Sequence, residues 1–343
     1  MTSQLPVSTR SLVLYKSSVA APPGKVYHDA KLEHRRLQPL KSNEILVKVG
    51  AAAFNHRDLW IRKGMYPGIQ FGTVLGADAA GTAIASGQAD DPLLNQRVLL
   101  VPMRGWQSDP DAPEDPRGMA LLGGGRFSPF GTFTEYLVVE RDQVIESPSH
   151  LDDVHMAAWP LAGDNYYRAT MVNARVEADH NILITGIGGG VAITALQLCV
   201  AKGANVYVTS GDEEKIAKAV KLGAKGGVNY KKWSQALGEV LKENGVKALD
   251  AVIDSGGGNI IRQTSKHLKL GGRIVIYGST MGSVKDLQDA TRFLPEKRIT
   301  PIVSHVIDGL QNAEQGFELM KRGGQFGKIV INMGETQTET AKL

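Results

Sequence analysis

Residues 179–215, DHNILITGIGGGVAITALQLCVAKGANVYVTSGDEEK, gather Gly186, Gly188, Gly189, Gly190 and Gly203 around one short turn and the helix after it. NILITG has the composition of a buried strand and GGGVAITALQLCVAKG that of an apolar helix, so residues 186–190 form the turn between them. Glycines at such a turn permit positive φ and let the backbone come close to a bound diphosphate. The negative charge of that group is then met by N–H groups at the start of the helix. Ala192 is small where helix and strand must pack closely. A strand before, a helix after and a second strand about 20 residues on make this the pattern of a dinucleotide site. The glycines taken alone would also suit a purely structural tight turn.

The end of the second strand discriminates between cofactors. An NAD site usually places a carboxylate there, which grips the ribose 2′-hydroxyl and repels a 2′-phosphate. NVYVTSG ends instead at Ser210 and Gly211. Asp212 follows, but its position before EEKIAKAVKLGA suits a helix N-cap. Lys215, one turn into that helix, can reach a phosphate. NADPH is therefore the expected cofactor, and Asp212 keeps NADH open.

Other chemistries find little support. Cys199 is the only cysteine, so neither an internal disulfide nor a multi-cysteine metal site can form. It lies in ALQLCVAKG among apolar residues at helical spacing and reads as a core residue. The net charge of +4 is scattered, and the densest basic run, His34-Arg35-Arg36, is short and lacks interleaved aromatics. Nucleic acid is thus not an expected partner. With 22% charged and 42% hydrophobic residues, the 343-residue chain fits a soluble protein of about two domains. No segment is long and apolar enough for a membrane span, and MTSQLPVSTRSLVLYKSS lacks a signal peptide's pattern. A cytoplasmic location is expected. The terminal Ala341-Lys342-Leu343 is similar to the Ser-Lys-Leu peroxisomal address, which would redirect the chain where a receptor reads it.

The elements that must hold these residues change character near residue 155. Before it, short alternating or β-rich runs broken by Gly and Pro read as a mainly β domain: EILVKVGAAAF, AAGTAIASG, QRVLLVP and GTFTEYLVV. Between them RGWQSDPDAPEDPRGMALLGGGRFSPF reads as a long surface loop. After it, NILITG, NVYVTSG, LDAVIDSGG and GGRIVIYG alternate with helical runs, which implies a parallel, doubly wound sheet.

Together these stretches resemble the zinc-free, quinone-oxidoreductase-like branch of the medium-chain dehydrogenase/reductase superfamily. The likeness is carried by NHRDLWIRKGMYP, VLGADAAGTAIASG, GTFTEYLVV, AAWPLAGDNYYRAT, the Gly-rich turn, TSGDEEKIAKAVKLGA, VNY and FGKIVI, and it spans nearly the whole chain. It implies an α/β fold with a GroES-like β-rich catalytic domain over 1–155, completed by 297–343. A Rossmann NADP-binding domain over 156–296 lies between them in sequence, with the active site in the cleft.

The resemblance also carries site residues. Gly211, Lys215 and Tyr230 match the positions that hold the NADPH 2′-phosphate in the branch's quinone reductases. The other nucleotide contacts it implies are Asn165 near the carboxamide, Gly186, Gly188, Gly189, Gly190, Val191, Ser210, Gly256, Tyr277, Gly278 and Lys328. Asn55, Trp60 and Tyr66 are implied as the pocket over the nicotinamide: Asn55 and Tyr66 can donate to a carbonyl oxygen and Trp60 offers a flat apolar wall. Packing under the loop is the plainer reading of the two aromatics. Asp58 and Asp78 match structural acids, and His56 is expected to be a loop histidine satisfied by backbone. The catalytic-zinc ligands of relatives match Asn55, Ala77 and Leu161, none of them a usual zinc ligand, so no metal is expected. Without a Lewis acid to stabilise an alkoxide, the expected acceptor is already electrophilic, a quinone or an α,β-unsaturated carbonyl. The rival readings are an enoyl-thioester or ketone/alcohol oxidoreductase of the same fold, and a non-catalytic NADPH-binding protein.

One departure from the family stands out. After GGRIVIYG relatives usually run through a further strand and crossover, whereas here GSTMGS follows at once. About 30 residues, one βα unit by length, are missing. That strand often pairs sheets across a dimer, so a homodimer of the usual kind is placed in doubt.

Overall fold

The computed structural model describes residues 5–126, 130–277 and 281–334. Two units emerge: Met1–Pro160 with Val303–Leu343, and Leu161–Ile302, a division slightly later in the chain than the change in composition suggests.

The first unit holds β1 (Ser8–Tyr15), β2 (Asp29–Arg36), β3 (Glu44–Ala53), β4 (Asp78–Ser86), β5 (Arg97–Leu100), β6 (Met103–Arg104), β7 (Ala120–Leu121), β8 (Tyr136–Glu140) and β9 (Val144–Glu146). After five strands of the second unit, the chain returns to it with β15 (Val303–Asp308) and β16 (Lys328–Asn332). A mixed sheet runs β15-β16-β3-β4-β5-β9, with β8 also paired to β3. β3 is mostly buried, with only Lys48 exposed, as suits a central strand. Ile45, Val47, Val49, Leu75 and Phe54 form its core, with Phe133 and Phe317 edge-on to Phe54 at 4.8 and 5.0 Å. The register places Ala53 opposite both Asp78 of β4 and Val330 of β16.

The segment expected as a plain surface loop is more ordered than its Pro and Asp content suggests. β6 and β7 pair antiparallel, and Trp106 and Leu122 are buried. The Glu114 carboxylate supplies the missing regularity by accepting the N–H groups of Gln107, Ser108 and Asp109 at 2.7, 2.7 and 2.8 Å.

The second unit is a parallel sheet of β10 (Asn181–Ile184), β11 (Asn205–Ser210), β12 (Gly226–Asn229), β13 (Leu249–Asp254) and β14 (Leu268–Ile276), in the order β12-β11-β10-β13-β14. Strand order reverses between β10 and β13, the place where open α/β sheets bind ligands at their carboxyl ends. Cys199 is fully buried in the helix Gly190–Ala201, and burial pushes its thiol up to about 12, which makes it an inert core residue. Among the described residues no strand extends this sheet beyond β14. Leu270 and Ile276 of β14 are exposed. No helix of the described residues is long and apolar enough to cross a membrane. Gly278 and Ala341-Lys342-Leu343 lie outside the described residues.

Candidate functional site

The Gly-rich turn sits at the carboxyl end of β10. Gly186 and Gly188 take φ of 68° and 134°, conformations that side-chain-bearing residues rarely adopt. Thr209 at the end of β11 pins the turn, accepting the Gly186 N–H on its hydroxyl at 3.1 Å and the Ile187 N–H on its carbonyl at 2.7 Å. Gly189 is the N-cap of the helix Gly190–Ala201, and a Cβ built on it would meet nothing within 4 Å. Val191 follows, half-buried in the first turn, and Ala192 is buried where helix and strand pack.

Two contacts build the adjoining corner. A Cβ on Gly188 would fall 2.8 Å from Lys215 Cδ and 3.3 Å from its Nζ, so the Lys215 side chain lies across the turn. A Cβ on Gly211 would fall 2.5 Å from the Tyr230 hydroxyl oxygen, so that ring rests on the Gly211 backbone. Asp212 caps the helix Glu213–Lys221, accepting the Glu214 N–H at 2.9 Å, which is the role its position suggests. Ser210 is buried and its hydroxyl accepts the Asp212 N–H at 3.2 Å.

A second organiser is not visible among the expected residues. Asp254, buried at the end of β13, accepts the Thr185 hydroxyl and the N–H groups of Gly256 and Gly257, the last two at 2.9 and 3.1 Å. Thr185 in turn accepts the Ser255 N–H at 3.2 Å. The ends of β10 and β13 are thereby joined, and Gly256 is fixed beside the first turn's strand. An acid that closes a strand before three glycines is the sequence signal for this latch. The Tyr277 N–H donates to the Asp254 carbonyl at 3.0 Å, and its ring meets Tyr166 edge-on at 5.0 Å.

Asn165 is buried in the helix Pro160–Tyr166; its Nδ2 lies 3.6 Å from the Met281 sulfur, and its Oδ1 has no hydrogen-bond partner among the described residues. Its neighbour Asp164, absent from the expected set, accepts the Gly282 N–H at 2.8 Å. Burial holds the Asp164 carboxyl well above the usual carboxylate range. Positive-φ glycines, an uncovered helix start, a lysine across the turn and an orphaned buried acceptor together fit a dinucleotide.

In the first unit the site residues converge where β3, β4 and β16 meet. Asn55 precedes the helix His56–Arg62; its N–H donates to Asp58 Oδ2 at 2.8 Å. Its side-chain Nδ2 donates to Asp78 Oδ2 at 2.9 Å, and its Oδ1 accepts from Lys328 Nζ at 2.7 Å. Lys328 Nζ also reaches Asp78 Oδ2 at 2.8 Å. All three side chains are buried. Lys328, carried by the resemblance into the nucleotide contacts, is thus engaged with Asn55 and Asp78.

His56 stands in the first helical turn rather than in a loop. Its ring reaches solvent, yet protein crowding lowers its pKa, and the Lys328 charge lowers it further. Burial raises the Asp58 carboxyl despite the neighbouring Arg57. Arg57 donates to the carbonyls of Leu122 and Gly123 at 2.6 and 2.7 Å and lies 5.0 Å from the Tyr66 ring centroid. Tyr66 packs half-buried against the barrel core, whereas Trp60 is exposed beneath the Lys63 ammonium. Ala77 and Leu161 are buried hydrocarbon side chains, and among the described residues no group of three or more His, Cys, Asp or Glu is placed to hold a metal ion.

Comparison with known proteins agrees with both halves. Residues 41–149 match the alcohol dehydrogenase GroES-like domain, and residues 190–326 match the zinc-binding dehydrogenase domain. A zinc-type alcohol dehydrogenase-like protein of Leptosphaeria maculans is 37% identical over 345 residues, covering 90% of this chain and 96% of that protein. The chain belongs to the medium-chain dehydrogenase/reductase superfamily. An acryloyl-coenzyme A reductase of Metallosphaera sedula is 28% identical over 327 residues, covering 89% of this chain and 97% of that protein. The crystal structure of an NAD-dependent alcohol dehydrogenase superposes with a TM-score of 0.80 at 27% identity, covering 95% of this chain and all of that one. As a member of the superfamily, the protein is an oxidoreductase that pairs a GroES-like domain with a doubly wound dinucleotide-binding domain, and its cofactor is a nicotinamide dinucleotide.

Proposed function

We propose that the protein is an NADPH-dependent reductase of quinones or α,β-unsaturated carbonyls that works without a catalytic metal. The observation that carries the proposal is the side chain of Asn55. By resemblance it stands at a zinc-ligand position, but it is an amide already bonded to a buried ammonium and a carboxylate. With the hydrocarbon side chains of Ala77 and Leu161 at the other two positions, these residues do not fit a catalytic zinc.

NADPH, when bound, supplies a hydride. The Gly186–Gly190 backbone and the following helix start would hold its diphosphate, Lys215, Gly211 and Tyr230 its 2′-phosphate, and Asn165 Oδ1 its carboxamide N–H. In the acceptor the hydride bonds to the β-carbon, and the displaced π pair moves onto the carbonyl oxygen. Asn55 can donate a hydrogen bond to the oxygen that gains this charge, and water returns a proton to the α-carbon. Trp60 and Tyr66 would provide apolar surface for the acceptor.

The Metallosphaera relative, an acryloyl-coenzyme A reductase, favours a second reading in which the acceptor is an enoyl thioester. Initial rates of NADPH oxidation with a panel of quinones, simple enones and short enoyl thioesters test both. Turnover with quinones or enones supports the proposal, and turnover confined to thioesters supports the second reading. Tight NADPH binding with background rates throughout would identify a nucleotide-binding protein without turnover and would overturn both.

A further inference from the structure

We infer that Lys328 and Asp78 are a positioning pair for Asn55: they fix the orientation of its amide so that an N–H, not the carbonyl oxygen, is left for the acceptor. The inference rests on the reductase reading and assigns roles that reading does not need.

An asparagine side chain is nearly symmetrical in shape, and its partners decide which way it faces. Here the partners are of opposite kinds. Lys328 Nζ can only donate, and it lies 2.7 Å from Asn55 Oδ1. Asp78 Oδ2 accepts from Nδ2 at 2.9 Å. Turning the amide over would set its N–H groups against the ammonium and its oxygen against the carboxylate. The 2.8 Å contact between Lys328 and Asp78 holds the two partners side by side, so neither can turn away to relieve that conflict.

Burial makes the lock firm. Asn55, Asp78 and Lys328 are 6%, 0% and 5% exposed, so water is poorly placed to substitute for a lost partner. Asp78 and Lys328 open β4 and β16, and Asn55, the N-cap of the helix His56–Arg62, follows the end of β3 by two residues; Ala53 of β3 lies opposite both Asp78 and Val330. Paired strands and a helix start thus set the geometry.

The lock also changes the chemistry of the amide. Asp78 takes one of the two N–H groups of Nδ2, and the other has no partner among the described residues. An ammonium hydrogen-bonded to Oδ1 draws electron density through the amide and strengthens that remaining N–H as a donor. A donor fixed in place and polarised in advance suits an oxygen that gains negative charge only as the hydride arrives. Lys328 and Asp78 act through Asn55 and need not touch the acceptor.

A double-mutant cycle on the full chain tests this, with NADPH and 2-cyclohexen-1-one as substrates. Lys328→Met should lower kcat roughly 10- to 100-fold, with the dissociation constant of NADPH little changed, and Lys328→Arg should recover part of the loss. In an Asn55→Ala background Lys328→Met should then cost almost nothing further, because the group it positions is gone. Equal losses in the two backgrounds, or a loss confined to NADPH binding, would overturn the inference. Removing Lys328 alone leaves Asp78 buried without its counter-ion, so the cycle is repeated with Lys328→Met and Asp78→Asn combined, which removes both charges together. A wild-type chain that reduces neither the enone nor a quinone would instead refute the reductase reading. Wild-type turnover with additive losses refutes only the lock.

Discussion

The Lys215 side chain lies across Gly188, so closely that a Cβ there would come within 3.3 Å of the ammonium nitrogen. That places a cation over a positive-φ turn suited to a dinucleotide, beside the end of β11 where an acid would otherwise select NADH. Lys215→Ala should weaken NADPH binding by about 1.5–3 kcal/mol, the size of a charge-assisted hydrogen bond, and leave NADH binding nearly unchanged. Calorimetric titration with each nucleotide checks this. Equal losses for both would remove the 2′-phosphate role.

Gly211 carries the Tyr230 ring on its backbone, and a methyl group there would sit 2.5 Å from the phenol oxygen. Tyr230 is half exposed, so its ring can swing outward instead of straining the sheet. Gly211→Ala should therefore lower NADPH affinity while the thermal midpoint hardly moves. A large fall in the midpoint with unaltered affinity would mean that the contact is only packing.

Glu114 organises the 105–119 segment through backbone N–H groups, chiefly those of Ser108 and Asp109, and they pull its carboxyl from 4.5 down to about 2. A carboxyl lowered on folding stabilises the segment above about pH 4.5, and that contribution disappears as the pH falls toward 2. Amide resonances of Gln107, Ser108 and Asp109 should shift together as the pH approaches about 2, where the folded carboxyl gains its proton. At neutral pH, Glu114→Gln should speed trypsin cleavage after the exposed Arg117. Resonances that do not move before global unfolding, or an unaltered cleavage rate, would show that Glu114 is not the organiser.

Much of the second unit was legible in the sequence because its signals are local. NILITG and NVYVTSG are apolar strands bounded by glycines, and Asp212 caps the helix that its spacing suggests. β2 carries no such signal, because DAKLEHRR lies at the surface in a two-stranded ribbon and has no apolar alternation. The Asn55, Asp78 and Lys328 cluster was legible only as separate residues. Lys328 lies 273 residues from Asn55, and only the pairing of β3 with β4 and β16 brings their side chains together. The Asp254 latch depends in the same way on β10 and β13 being neighbours.

In the proposed reaction, hydride transfer to an activated carbonyl compound needs no catalytic metal. The deciding measurement is the rate of NADPH oxidation with a quinone or enone, on protein stripped with a strong chelator and again after zinc is restored. The stripped protein should keep its full rate and gain nothing from zinc. Activity that disappears on stripping and returns with one equivalent of zinc would show that a metal takes part after all.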